Sequence, residues 1–345
     1  MMNLLSAFLS FFILINTLGV SEGFSSEAGI HEFLTKSEKA RWQVAEHIRD
    51  FASEAFPQLH LKMARADLTE FSWERSSLPI KKEDFSDFTV EGEKVVIWDP
   101  VHQKFLFEQG AGEVLPIASI TKLMTALVFL DHNPGWDHIH EITDQDRVEG
   151  GRIYVFLGDK LKTKDLFSIS LVASANTSTM ALVHSTGMTE EEFVKKMNLK
   201  AEEIGLVNTK FKDVVGLSPE NLSTPREVAR LAQAALDREE IREATLKEEY
   251  QFSTEQGRSR TVLSTRSLSE DFPYEKIGFL GGKTGYIPES GYCFVGKFHG
   301  NEQENDLISV VLGAEDREDR FNVTQELVDW TFNNYQWRQN PDQGL

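Results

Sequence analysis

Three short stretches constrain this 345-residue chain more than anything else in it: Ser119-Ile-Thr-Lys122, then Ser174-Ala-Asn176, then Lys283-Thr-Gly285. Each tripeptide or tetrapeptide occurs once. Together they hold a hydroxyl, an amine three residues after it, a second hydroxyl with an amide beside it, and a second lysine next to a glycine. That is a complete set for serine acyl transfer without a histidine. It works only if three distant segments meet in space, so the chemistry dictates how the chain folds back on itself.

Pro116-Ile-Ala precedes Ser119 and Leu-Met-Thr-Ala-Leu-Val follows Lys122, which predicts a helix starting at Ser119 and running through Leu130. Positions i and i+3 share a helical face, so the Lys122 amine falls near the Ser119 hydroxyl. The helix end also offers free N–H groups and a positive dipole to developing negative charge. Lysine ordinarily titrates near ~10.4, leaving only ~0.04% neutral at pH 7. A base here therefore needs desolvation and a second cation, for which Lys283 is the candidate. Ser174 is a proton relay between lysine and leaving group. Asn176 is a donor to a substrate amide and a positioner of Lys122. Lys283 and Thr284 can bind a substrate carboxylate, and Gly285 permits close backbone approach. The N–H groups of Ser119 and Tyr286 are the expected oxyanion hole.

The rest of the chain reads as an α+β pattern. Lys94–Asp99 and Lys104–Glu108 alternate like paired strands around a turn at Pro100–Gln103. Short alternations follow at 138–143 and 153–157. Helical spacing recurs at 163–173, 177–186, 189–204 and 225–236, and strands return near 277–282, 290–298 and 307–313. A last amphipathic helix over 319–335 offers Phe321, Leu327, Val328, Trp330 and Phe332 as apolar contacts. Strands at both ends with helices between them imply one domain whose sheet joins distant segments. The expected divisions are 1–23, an acidic and partly helical extension over 24–88, a catalytic domain over 89–337 and a tail over 338–345. A helix over 31–56, halted by Pro57, is expected in the extension.

The net charge is −19, which disfavours nucleic acid and anionic membrane surfaces as partners. An anionic substrate would need a local cationic pocket. No charged side chain precedes Glu22, and Leu4–Val20 is apolar. This reads as an export leader cleaved after Gly23, with an uncleaved N-terminal membrane tether as the alternative. The lone cysteine, Cys293, sits in an alternating segment and reads as a buried structural thiol. His132, His138 and His140 lie near Asp131, Asp137 and Glu141. A zinc site there is the alternative to a polar loop and strand edge, and no metal or cofactor is expected.

The wording around the motifs narrows the reading further. Pro116-Ile-Ala-Ser-Ile-Thr-Lys-Leu-Met-Thr125, Val172-Ala-Ser-Ala-Asn176, Met197-Asn, Leu222-Ser-Thr-Pro225 and Gly282-Lys-Thr-Gly-Tyr286 with Gly291-Tyr-Cys resemble the low-molecular-mass D-alanyl-D-alanine carboxypeptidases. These are penicillin-binding proteins with S-x-x-K, S-x-N and K-T-G motifs. The resemblance runs from about residue 90 to 335. It implies the penicillin-binding protein and serine β-lactamase-like fold: an antiparallel sheet, flanking helices and an all-helical subregion. It implies attack by Ser119 on peptidoglycan stem peptides ending in D-Ala-D-Ala, release of D-alanine, hydrolysis of the acyl-enzyme, and covalent trapping by β-lactam antibiotics. It implies a periplasmic or other extracytoplasmic location. Arg320 resembles a family arginine near the carboxylate site, with a solvated helix-start arginine as the alternative. Thr177, Ile287 and Ser290 depart from the commoner Asp, Thr and Ala. The chain stops shortly after its last expected helix, so the β-rich C-terminal domain of many relatives is not expected, and any tether would be N-terminal. A DD-endopeptidase of the same fold and a non-catalytic penicillin-binding sensor remain alternatives. A β-lactamase is disfavoured, because no E-x-x-L-N match lies between Asn176 and Lys283.

Overall fold

The computed structural model describes residues 79–268 and 275–337. The expected leader at 1–23, the expected helix over 31–56 and the tail at 338–345 lie outside the described residues.

In chain order the described elements begin with β1 (Ile80–Lys81), the hairpin strands β2 (Lys94–Asp99) and β3 (Lys104–Gln109), and β4 (Leu115–Pro116). Next come α1 (Thr121–Asp131), the paired β5 (Ile139–Glu141) and β6 (Lys160–Lys162), and the helices α2 (Thr163–Val172), α3 (Asn176–His184) and α4 (Glu190–Glu203). After β7 (Leu222–Ser223), which pairs with β4, come α5 (Pro225–Leu236), α6 (Glu239–Leu246) and the hairpin β8 (Glu249–Ser253) and β9 (Ser259–Leu263). The chain closes with β10 (Ile277–Ile287), β11 (Gly291–Gly300), β12 (Asn305–Ala314), α7 (Asp319–Asn334) and β13 (Tyr335–Gln336).

An antiparallel five-stranded sheet in the order β10-β11-β12-β2-β3 joins the two ends of the domain. Its central strands are buried on both faces, which is why they read as near-continuous apolar runs. Successive side chains of a strand point to opposite faces, and β2 divides accordingly. Val96 and Trp98 enter a core with α1, α2, α3 and α5, while Val95 and Ile97 enter a second core with α7. Buried Asp99 fastens the hairpin after β2: its carboxylate accepts from Val101 N, His102 N and Trp337 Nε1. Helix α1 is buried from Thr121 through Phe129 and so runs through the middle of the helical layer.

Most expected elements lie within a residue or two of their predicted bounds. Three differences matter. Ser119 precedes α1, in a single 3-10 turn over Ala118–Ile120. Helix α6 and the β8–β9 hairpin were not anticipated, and 153–157 forms no strand. Finally, β1 pairs with β13, and Phe85 and Phe88 pack against Trp330. The division expected at 88/89 falls at the end of this packed segment.

Candidate active site

Ser119 stands on a sharp turn between β4 and α1. Ala118 adopts a φ of 45°, a left-handed conformation that residues with a Cβ adopt at a cost of ~1–2 kcal/mol. Two glycines hold it there. A Cβ on Gly216 would collide with the Ala118 carbonyl, and one on Gly285 would stand 2.9 Å from Ile117 O and 3.2 Å from Ser119 N. Strand β10 thus runs directly beside the amide of Ser119, the arrangement that the expected oxyanion hole requires.

Lys122 Nζ lies 3.0 Å from Ser119 Oγ. It also donates to Asn176 Oδ1 at 2.9 Å and to the Val215 carbonyl at 2.6 Å. Asn176 is the first residue of α3, and its Nδ2 donates to Gly150 O at 3.1 Å. The Val215 carbonyl is aimed by Asp213, whose carboxylate accepts from Val215 N at 2.8 Å and also from Gly216 N and Ser218 N. Lys122 is wholly buried. Burial brings its pKa down to about 7, with the field of Asp213 opposing.

Lys283 lies within β10, the edge strand of the sheet, and it too is buried. Its Nζ donates to Ser174 Oγ at 2.8 Å and to Thr284 O at 3.0 Å. Ser174 has a φ of 56°, which sets its hydroxyl between α2 and α3. Burial pushes the Lys283 amine well below the ordinary lysine range, and the charges of Lys122 and Arg320 push it further. The sequence reading made Lys283 the cation that depresses Lys122. Desolvation, the other half of that reading, is the largest cause of the lowering at both lysines, and the like charge of Lys122 adds to it at Lys283.

Arg320 is 5% exposed, so it is not a solvated helix-start residue. Its Nη1 donates to Gly285 O at 3.0 Å and to Cys293 O at 3.3 Å, bracing β10 and β11 from α7. Burial lowers its pKa to about 10. Tyr286 is half exposed and stacks on Tyr292 with ring centroids 4.2 Å apart. The hydroxyls of Thr284 and Thr265 are 2.6 Å apart.

All nine expected residues therefore gather on the turn before α1, the α2–α3 junction and β10 with its α7 brace. Ser174 bonds to Lys283 rather than to Lys122. Sequence reasoning missed Val215, Asp213, Thr265 and Gly150. The acidic residue before a glycine in Asp213-Val-Val-Gly216 was the available signal for a side-chain-stapled turn. Among the described residues, no group of three or more histidine, cysteine, aspartate or glutamate side chains is placed to hold a metal ion.

A family model described as D-alanyl-D-alanine carboxypeptidase, Peptidase_S11, matches residues 81–316. The chain belongs to this family of serine D-alanyl-D-alanine carboxypeptidases. It is 34% identical over 204 residues to a D-alanyl-D-alanine endopeptidase of Haemophilus influenzae, covering 58% of this chain and 68% of that protein. It is 30% identical over 257 residues to the D-alanyl-D-alanine carboxypeptidase DacF of Bacillus subtilis, covering 73% of this chain and 64% of that one. The chain thus spans about two thirds of the length of these curated relatives. Penicillin-binding protein D2 of Listeria monocytogenes, solved in a cefotaxime-bound form, superposes with a TM-score of 0.61 at 28% identity, over 72% of this chain and 99% of that one. The expected α+β, penicillin-binding protein-like fold is the observed one.

Proposed function

We propose that the family's reaction runs on this chain through a Ser119 acyl-enzyme, removing the terminal D-alanine from peptidoglycan stem peptides. The observation that carries this reading is the wholly buried Lys122 amine 3.0 Å from Ser119 Oγ. A neutral amine has two N–H donors and one lone pair. Asn176 Oδ1 and Val215 O take the donors, which turns the lone pair toward the serine hydroxyl. Lys122 removes the Oγ proton as Oγ attacks the carbonyl carbon of the penultimate D-alanine. The N–H groups of Ser119 and Tyr286 stabilise the resulting oxyanion. Lys283 and Thr284, held by Ser174, Thr265 and the Arg320 brace, receive the terminal carboxylate. Ser174 passes the proton to the departing D-alanine amine. Water then cleaves the ester, with Lys122 as base again.

The cefotaxime held by the Listeria neighbour supports β-lactams as covalent inhibitors here. Intact-mass measurement after penicillin exposure tests the assignment. One adduct on the wild type and none on Ser119→Ala is expected; an adduct that survives in Ser119→Ala refutes it.

The Haemophilus relative named as an endopeptidase favours a second reading, cleavage of D-Ala-containing crosslinks by the same groups. Product analysis on a pentapeptide and on a crosslinked dimer separates the two. Work on the wall places the chain outside the cytoplasmic membrane, with residues 1–23 as leader or tether. N-terminal sequencing of the mature protein decides between those, since a start at Met1 rules out cleavage. Among the described residues no helix is long and apolar enough to cross a membrane.

A further inference from the structure

One buried carboxylate has no part in the mechanism above. Asp146 has no exposed surface. Its Oδ1 lies 2.7 Å from His184 Nδ1, and its Oδ2 lies 3.0 Å from His140 Nε2. Thr143 adds its N–H at 2.7 Å and its hydroxyl at 3.0 Å. Burial pushes the Asp146 carboxyl up, but these donors outweigh it and hold the group below the usual carboxylate range. The carboxylate thus ties His140 of β5 to His184, the last residue of α3. Asn176 is the first residue of that same helix.

The chain leaving Asp146 meets α3 again within a few residues. Val148 N donates to Thr177 Oγ1 at 3.5 Å, and Gly150 O accepts from Asn176 Nδ2 at 3.1 Å. Gly150 and Gly151 have φ values of +89° and +76°, conformations open to glycine and strained for other residues. A Cβ on Gly151 would stand 3.6 Å from Asn176 Nδ2. The turn therefore meets one end of the Asn176 amide group.

A side-chain amide presents donors at one end and an acceptor at the other. With Nδ2 held by Gly150 O, Oδ1 faces Lys122 Nζ, 2.9 Å away. The reverse orientation would set N–H groups against the N–H groups of Lys122. The Gly150 carbonyl decides which end of Asn176 the base meets.

We propose that Asp146 is a positioning residue for acyl transfer: clamped by His140 and His184, it fixes the 146–151 turn so that Gly150 O holds Asn176 with its Oδ1 toward Lys122. The proposal rests on the assignment of Ser119 and Lys122 made above. The histidines act only as N–H donors, and no proton passes through the cluster. A side chain that replaces the donor at the same place should therefore replace the histidine. Asparagine can present an N–H where His184 uses Nδ1, and glutamine where His140 uses Nε2.

The test is the acylation rate of the full chain by a fluorescent penicillin, normalised to labelled Ser119, with thermal unfolding followed in parallel. His184→Ala and His140→Ala should slow the limiting acylation rate roughly 10- to 100-fold, the scale of a misplaced reacting group, with little change in pre-covalent penicillin affinity. His184→Asn and His140→Gln should restore the rate. Gly151→Ala perturbs the turn without touching the buried carboxylate and should slow acylation in a protein that still folds. Wild-type rates in the alanine variants or in Gly151→Ala overturn the proposal. So does a loss that Asn and Gln fail to restore. Absence of wild-type labelling at Ser119 would strike down the function reading and this proposal together, whereas normal wild-type labelling with unaffected variants strikes down only this one.

Discussion

Replacing Lys122 with methionine keeps an apolar stem and removes the amine, so it separates the energetic role of that amine from its chemistry. At ~1.36 kcal/mol per pKa unit, lowering the amine from 10.5 to about 7 disfavours folding by roughly 5 kcal/mol at acidic pH. Below pH 7 the amine is charged in both the folded and unfolded chains, and that whole penalty is present. Between about 7 and 10.5 the unfolded chain keeps the proton that the folded chain has released, so wild-type stability rises by ~1.36 kcal/mol per pH unit. Lys283 contributes with the same sign, because burial and then Lys122 lower it. Methionine has no titration at this position, but it strands Asn176 Oδ1 and Val215 O at about 1–3 kcal/mol each. At pH 6 these terms nearly cancel. From pH 7 to pH 9 the balance should swing toward the wild type by about 2–3 kcal/mol. Denaturant unfolding of both proteins at pH 6, 7 and 9 measures the swing. Penicillin acylation should fall by about 10²–10⁴ in the variant, the scale of a lost general base, and the wild-type rate should rise along a limb centred near pH 7. A stability difference that stays flat across this range, or a variant that still acylates rapidly, refutes the argument that burial makes this lysine a base.

Three other perturbations probe the surroundings of that amine. Gly285→Ala drives a methyl toward Ile117 O and Ser119 N; it should slow acylation sharply and cost about 1–3 kcal/mol of stability, the range for forced overpacking, as read by stopped-flow labelling and thermal unfolding. Arg320→Met removes the bonds to Gly285 O and Cys293 O and a cation that lowers Lys283; kcat/KM on a D-Ala-D-Ala peptide should fall while the protein still folds. Phe88→Ala strips a ring packed 5.5 Å from Trp330 and 5.7 Å from Phe107; unfolding should show a loss of about 1–3 kcal/mol, and the acylation rate per active site should not change.

Much of this arrangement was legible in the sequence because it rests on local rules. The i to i+3 spacing of Ser119 and Lys122 puts the two side chains together in a 3-10 turn as well as in an α-helix, so the pair met even though the helix began two residues later than expected. The strands of the sheet showed through as period-2 or continuous apolar runs. Groups recruited through the backbone did not show. Val215 enters the site by its carbonyl, and a carbonyl has no residue type to betray it. Gly150 enters the same way. Arg320 has two readings in the sequence, an arginine near the carboxylate site or a solvated residue among the charged neighbours of Glu315–Arg320, and only the packing of α7 against β10 and β11 decides for the buried one. Helix α6 and the β8–β9 hairpin carry a high density of charge over 238–260, which weakens the apolar periodicity that would reveal them. The segment at 80–88 is polar and charged apart from Ile80, Phe85 and Phe88, and its place is set by α7, more than two hundred residues away in the chain.

The environment of the two site lysines fits the roles proposed for them in a strongly acidic chain. The protein has 55 acidic and 36 basic side chains, so a carboxylate partner for any lysine is close at hand. A carboxylate in contact with Lys122 would stabilise the ammonium and hold the pKa near or above its ordinary value, leaving no base at neutral pH. The hydrogen-bond partners around Lys122 are instead a hydroxyl, an amide oxygen and a peptide carbonyl; those of Lys283 are a hydroxyl and a peptide carbonyl. Neutral acceptors satisfy N–H groups without the Coulombic reward that a carboxylate gives the charged form. The nearest influential acid, Asp213, spends its carboxylate on the backbone N–H groups of its own turn and reaches Lys122 only through its field. The same absence of a counter-charge suits Lys283 to the role proposed for it, meeting an anionic substrate terminus. Burial among neutral acceptors thus fits the two roles proposed above, a base at Lys122 and a carboxylate receptor at Lys283.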